Sequence, residues 1–421
     1  VMKKNFLSGI ITGLCAALLL FTVIGTILIV ADKGNSNIFS KEGHLDKGDS
    51  TKGINKNVTE EQRHKEIIEK IIFLEGLVDS FYLEEVDNDK YPDGIYKGFM
   101  ASIGDPYSTY FTEEEYQLLM ESSAGVYHGI GATVSQDMTT GVITIVKPFK
   151  GGPAHKVGLL PGDVIYKVEG EEVTGEDLQE VVSKMKGEEG TSVEVSIVRE
   201  GEIEPLEFTI VRQEVNVPTI EHRMLDNNIG YISILEFDEI TVSQFEKAID
   251  ELLKLGMKGL VVDVRDNPGG LLDSVVKMLD RLLPKNLIVY TEDKHGKRTE
   301  EWAKEPDELD VPIAVLINGN SASASEIFAG ALQDYNRATV VGTTSYGKGI
   351  VQKVIPLSDG TAVKLTISKY FTPKGRDIHE KGIVPDVEIE LDDNLRQEII
   401  IEPEKDNQLQ EAIKLVENQI E

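Results

Sequence analysis

The chain has 421 residues, a formal net charge of −30, 40% hydrophobic residues and one cysteine. That length holds more than one folded unit, read here as two behind an N-terminal attachment, and so large a negative charge argues against nucleic-acid binding, which needs a basic face. A single cysteine excludes an internal disulfide, and the 7 scattered histidines show no metal-ligand spacing, so no metal or other cofactor is implied.

Lys3-Lys4 precede Phe6–Ala31, an almost unbroken apolar run long enough to span a bilayer with some tilt. With no good Ala-x-Ala cleavage pattern, residues 1–31 read as an uncleaved signal anchor. It would be a single transmembrane helix, with the lysines cytoplasmic and the rest of the chain outside the cytoplasm. A cleaved signal peptide is the alternative. Cys15 lies inside the run and is no candidate nucleophile. Residues 32–59, rich in Gly, Asn, Ser, Asp and Lys, read as a flexible tether. From Glu60 the apolar positions Ile67, Ile68, Ile71, Ile72, Leu74, Leu77 and Val78 recur at helical spacing, and a second helix is expected over Tyr91–Ile103. This N-terminal helical region, 60–125, offers a packing surface or a homodimer surface. Within it, Gly104-Asp105-Pro106-Tyr107-Ser108-Thr109-Tyr110-Phe111 reads as a turn packing aromatics onto the core.

Residues 126–212 form a small β-rich module. Gly129-Ile130-Gly131-Ala132 leads into alternating strand residues, and Gly158-Leu159-Leu160-Pro161-Gly162-Asp163-Val164-Ile165 leads to a hairpin at Val168-Glu169-Gly170. A helix at Leu178–Met185 precedes strands at Val193–Arg199 and Phe208–Arg212. Taken together these segments resemble a PDZ domain. The resemblance implies peptide capture: backbone N–H groups of Gly129, Ile130, Gly131 and Ala132 would form a nest for a terminal carboxylate, and the following strand edge would accept an added peptide strand. A PDZ-like fold that only packs on the core is the competing reading.

Beyond Gln213, strands alternate with helices. Ile229–Ile234 is a strand, Thr241–Leu255 an amphipathic helix, and Leu260–Val264 a buried strand ending in Arg265-Asp266-Asn267-Pro268-Gly269-Gly270. A helix follows over Leu271–Leu283, and Ile313–Ile317 is another buried strand. Asn318-Gly319-Asn320 then forces a turn before Ser321-Ala322-Ser323-Ala324-Ser325-Glu326 opens a helix. The strand Ala338–Gly342 and the glycine-flanked Lys348 come next, then strands at Ala362–Ile367 and Lys369–Thr372 and a closing helix at Gln408–Glu421. The pattern is that of an α/β core over 213–395 with a C-terminal helical segment over 396–421. A serine at a strand-to-helix turn and a lysine in a glycine-lined, desolvated place outline a Ser–Lys hydrolase. Ser323-x-x-Glu326 is also a capping box, and Lys348 could be an ordinary loop lysine.

Ser321-Ala-Ser-Ala-Ser-Glu-Ile327, Gly342-Thr-Thr-Ser-Tyr-Gly-Lys-Gly349 and Gln352 resemble the carboxy-terminal processing (tail-specific) serine peptidases, as do Gly104–Phe111 and Asp263-Val-Arg-x-Asn-Pro-Gly-Gly270. The resemblance covers the chain from about Glu60 to its end. It implies an α/β core of the crotonase-like, spiral type with the PDZ domain inserted. It makes Ser323 the nucleophile, Lys348 the general base and Gln352 the residue orienting the lysine. It places the oxyanion hole at the N–H groups of Gly269 (or its neighbour Gly270) and Ala324. Asp334 is expected to cap or pair near Arg337, and His379 to lie at the surface. A free lysine near pKa ~10.4 is only about 0.04% neutral at pH 7, so burial would have to favour the neutral amine.

The reading is a membrane-anchored serine endopeptidase that cuts protein or peptide substrates near free, apolar C-termini. Its rivals are a catalytically idle PDZ scaffold at the membrane and a crotonase-like acyl-CoA enzyme.

Overall fold

The computed structural model describes residues 59–304, 309–396, 398 and 401–420. The expected signal anchor at 1–31 and the tether up to residue 58 lie outside the described residues. Among the described residues no helix is long and apolar enough to cross a membrane. These residues fall into two compact units that divide after Val86, so the expected N-terminal helical region is split between them.

The first unit is helix α1 (Glu60–Phe81). Thr59 starts it with a reciprocal cap: its hydroxyl accepts from the Gln62 N–H at 3.2 Å, and its own N–H donates to Gln62 Oε1 at 3.0 Å. None of its side chains is buried, and Ile67, Ile68, Ile72, Phe73 and Leu77 stand in solvent.

In the second unit α2 (Tyr91–Ala101) leads to β1 (Thr109–Phe111) and to α3 (Glu113–Ala124), a helix the sequence reading missed. Gly125, at φ 68°, ends α3 and admits β2 (Val126–Gly129). The β-rich module follows: β3 (Ala132–Gln136), β4 (Ile143–Pro148), α4 (Pro153–Val157), β5 (Val164–Val168), β6 (Glu171–Glu172), α5 (Leu178–Met185), β7 (Ser192–Val198) and β8 (Leu206–Val211). Its sheet runs β3-β4-β5-β7-β8, with β6 on β5. Ile143, Ile145, Ile165, Val195, Ile197 and Ile210 fill a core separate from the rest. β9 (Gln213–Asn216) pairs antiparallel with β2, so the module is inserted through a two-stranded ribbon.

The core begins with β10 (Ile220–Met224) and β11 (Ile229–Ile234), then α6 (Glu239–Lys254), β12 (Gly259–Asp263) and α7 (Leu272–Asp280). The hairpin β13 (Leu287–Asp293)–β14 (Arg298–Trp302) precedes β15 (Ile313–Ile317), α8 (Ala324–Asp334) and β16 (Ala338–Gly342). β17 (Ile350–Pro356), β18 (Ala362–Phe371), β19 (Val387–Glu388) and α9 (Asn407–Ile420) complete it. The sheet β10-β11-β12-β15-β16-β19 is parallel except for β10. Its side chains alternate between two cores. Leu260, Val262, Ile313, Val315 and Ile317 face α6, α7 and α8, whereas Val261, Ala314 and Leu316 face Leu409, Ala412 and Val416 of α9.

A second sheet, β1-β18-β13-β14 with β17 also on β18, is antiparallel. The two strands expected over 362–372 are one ten-residue strand, because β18 stays paired on both flanks through Ser368. Helix α8 begins at Ala324, not at Ser321, since Ser321 and Ser323 belong to the turn.

Candidate active site

The loops leaving the C-terminal ends of β12, β15 and β16 converge, which is where open parallel sheets place their sites. The turn after β15 is over-determined. Asn318 and Asn320 side-chain amides both donate to Asp266 Oδ1, at 2.9 and 2.7 Å. Ser321 Oγ donates to the Val264 carbonyl at 2.7 Å and accepts from the Asn318 N–H at 2.9 Å. Ser325 Oγ donates to the Asn267 carbonyl at 3.0 Å. Ser321 and Ser325 are fully buried, so these hydroxyls are structural. Ser323 alone of the three is half-exposed, and it sits at φ 52°, ψ −113°, a backbone conformation that non-glycine residues rarely adopt and that costs about 1–3 kcal/mol.

Glu326 joins this turn to the Lys348 loop. Its carboxylate is fully buried. Oε2 accepts from the Ser323 N–H at 2.9 Å and from the Lys348 N–H at 2.8 Å. Oε1 accepts from Ser345 Oγ at 2.6 Å and from the Gly347 N–H at 2.7 Å. One carboxylate therefore brings the backbone of Ser323 and of Lys348 together. The glycines beside Lys348 allow close backbone approach: a Cβ on Gly347 would lie 3.0 Å from the Gly382 nitrogen, and one on Gly349 2.6 Å from the His379 nitrogen. His379 is consequently half-buried, not at the surface as expected, and its Nδ1 has no partner among the described residues. Burial, and then the charge of Lys364 on β18, push the Lys348 ammonium below the usual lysine range, while the Glu326 carboxylate acts the other way. Lys364 is a cationic neighbour that sequence spacing did not reveal.

Among the described residues no hydrogen bond joins Lys348 Nζ to the Ser323 hydroxyl or to Gln352. The amine instead lies over the ring of Tyr107, 4.7 Å from its centroid. Gln352, on β17, makes only long contacts, to the Ile350 carbonyl at 3.5 Å and Thr366 Oγ1 at 3.4 Å. Gly269 packs directly on the Ser323 turn, since a Cβ there would lie 2.8 Å from Ser323 Cβ and 2.9 Å from the Ala324 nitrogen. Its N–H, however, donates to Asn267 Oδ1 at 2.8 Å. The N–H groups of Gly270 and Ala324 donate to no atom of the described residues. Asp334 pairs with Arg376, at 2.6 Å, and not with Arg337, which reaches the carbonyls of Leu282, Leu309 and Val311.

In the inserted module, Ile130, Ala132, Val134, Val182, Met185 and Lys186 are among the residues lining a groove of roughly 280 Å³ between β3 and α5. β3 is the free edge of its sheet. Of the expected nest, Gly129 is taken into the ribbon opposite Gln213, and Ile130 is buried in the core. The N–H groups of Gly131 and Ala132 stand near the Tyr127 hydroxyl, whose pKa burial raises and these two donors hold back. Lys186 lies over the Tyr127 ring at 5.2 Å and pairs with Glu121 of α3 at 2.9 Å.

Residues 228–389 match Peptidase family S41, 144–199 match the PDZ domain, and 32–115 match the N-terminal domain of activating protease CtpB. The carboxy-terminal processing protease CtpB of Bacillus subtilis (strain 168) is 39% identical over 321 residues, covering 75% of this chain and 66% of that protein. The carboxy-terminal-processing protease of Bartonella bacilliformis is 39% identical over 315 residues, covering 73% and 72%. The chain thus spans about two thirds of the length of these curated relatives. A solved structure of a photosystem II D1 C-terminal processing protease is 29% identical, with a TM-score of 0.45 over 76% of this chain and 86% of that one.

Proposed function

Because the chain belongs to the carboxy-terminal processing proteases, serine peptidases of family S41, we propose that it is an endopeptidase that cuts substrates near their C-termini by a Ser323–Lys348 mechanism. The observation that carries this reading is the single Glu326 oxygen accepting from both the Ser323 and Lys348 N–H groups. Ser323 Oγ attacks the scissile carbonyl as the neutral Lys348 amine takes its proton. The Oγ–C bond forms, the carbonyl pair moves to oxygen, and the proton is later delivered to the leaving amine. The resulting acyl-enzyme is released by water that the same amine activates. The Ala324 N–H receives the oxyanion together with a donor from the Gly269–Gly270 turn. The Gly269 N–H must first leave Asn267 Oδ1, whereas the Gly270 N–H is unengaged. Gln352 orients the amine as it reaches the Ser323 hydroxyl from over the Tyr107 ring.

The groove between β3 and α5 would take the substrate tail, adding it as a strand along the free edge of β3. We read the core as a crotonase-like spiral, on the two sheets that meet at the site. The apolar residues at 6–31 support anchorage to a cell membrane with the peptidase outside the cytoplasm. The exposed apolar face of α1 supports a homodimer.

The test is cleavage of fluorescently labelled, unfolded casein by the full-length chain in detergent. Ser323→Ala and Lys348→Ala are expected to abolish it, and Ser321→Ala and Ser325→Ala to retain measurable activity. Wild-type cleavage by Ser323→Ala would overturn the nucleophile assignment, whereas no cleavage by the unsubstituted chain would favour a scaffold role.

A further inference from the structure

The segment Gly104–Ser108 has a place at the site that the mechanism above leaves unused. It is a rigid turn. Asp105 Oδ1 accepts from the Tyr107 N–H at 3.0 Å, and Asp105 Oδ2 accepts from Ser108 Oγ at 2.5 Å. Ser108 Oγ in turn accepts from the Thr366 N–H at 3.1 Å, which ties the turn to β18 beside the Gln352 contact. β1 continues this attachment, with Thr109 opposite Lys364. The turn delivers the Tyr107 ring to the Lys348 amine, with the Tyr107 hydroxyl near Tyr346 on the same loop as Lys348.

We propose that Tyr107 is a positioning residue for the general base, its ring face holding the Lys348 ammonium and favouring the protonated lysine that forms when Ser323 attacks. This rests on the reading of Lys348 as the base. The ring presents negative π-density to the amine and so stabilises the charged form. The other charged or titratable groups facing the pair are Lys364 from β18, Glu326 from α8, and Asp105 and Tyr346. Burial and Lys364 favour the neutral base that begins the reaction, and Tyr107 favours the cation that the proton transfer creates. Removing the ring therefore has two signatures of fixed sign. The pH at which Lys348 loses its proton falls, moving the acid limb of activity to lower pH. The plateau rate at high pH also falls, because the developing ammonium loses its support.

The experiment measures kcat/KM against pH with labelled casein, and in parallel the pH dependence of Ser323 phosphonylation by a small fluorophosphonate, using the full-length chain in detergent. Tyr107→Leu is expected to move the acid limb down by roughly 0.4–1.5 pH units and to lower the plateau. Tyr107→Phe keeps the ring and should keep the acid limb near the wild-type position. Tyr107→Trp, with a stronger ring face, should move it up, which decides the matter if the leucine variant does not fold. Acid limbs that stay put in both the leucine and tryptophan variants, or that move in the same direction, overturn the proposal. A Lys348→Ala variant that still cleaves would remove the base reading itself. An inactive Lys348→Ala beside an unmoved Tyr107→Leu profile would reject Tyr107 alone.

Discussion

Glu326 is a buried carboxylate on which four donors converge, from Ser323, Ser345, Gly347 and Lys348. Hydrogen bonds to a charged acceptor contribute more than neutral ones, and a buried donor left without a partner is costly. Glu326→Gln supplies one acceptor and one amide donor, so at least one pair of these groups loses its partner. A stability loss of roughly 2–4 kcal/mol is expected in urea denaturation, together with a fall in kcat. A variant with wild-type kcat would show that the clamp is dispensable. The local sequence already suggested half of this arrangement. Ser323-x-x-Glu326 accounts for the Ser323 N–H as an ordinary cap, but the donors from Ser345, Gly347 and Lys348 come from the next strand-to-strand loop, which no capping rule reaches. Tyr107 and Lys364 were hidden for the same reason. Their approach to Lys348 depends on β1 and β17 flanking β18, pairings made far apart in the chain.

At the scale of elements, β2 does more than connect. It carries Tyr127 into the lining of the β3–α5 groove, where the phenol stands near the Gly131 and Ala132 N–H groups that a peptide carboxylate would need. Lys186, over the ring and paired with Glu121, braces it there. Tyr127→Phe keeps the ring and removes the hydroxyl that stands near both donors. In a Ser323→Ala background, a labelled peptide with a free apolar C-terminus should bind about 2- to 12-fold more tightly by fluorescence anisotropy, the range of one net neutral hydrogen bond. An unchanged affinity would mean that the phenol does not compete. The elements of the groove were legible: Leu178–Met185 and the Gly129–Ala132 turn stand where periodicity and glycine placement put them. The use of Tyr127 was not, because nothing in an alternating strand pattern says which ring folds back over its own turn. Likewise α3 is mostly polar, with no buried residue, so it gave no apolar stripe to read. β18 looked like two strands because its inner face is only partly buried.

At the scale of the molecule, the proposed tail capture and bond cleavage would fall to separate cores. The module has its own apolar interior, and it is joined to the peptidase body through the β2–β9 ribbon and a bond from the Val217 N–H to the Gly125 carbonyl, 2.9 Å. A groove that recognises the free C-terminus depends on its negative charge. Amidating the same peptide substrate removes that charge, and loss of one charge-assisted hydrogen bond, roughly 1.5–3 kcal/mol, corresponds to an increase in KM of about tenfold or more. Glu326, Ser323 and Lys348 lie outside the module and its groove, so the chemistry on an already bound chain should change less, leaving kcat near its value for the free-ended substrate. If occupation of the groove also brings the Ser323 hydroxyl and the Lys348 amine into reach of each other, amidation lowers kcat as well, because an empty groove leaves the separated arrangement favoured. The two cases separate in one set of initial-rate curves with paired free and amidated substrates. Identical curves would reject tail recognition by residues 126–212 while leaving the Ser323–Lys348 assignment untouched.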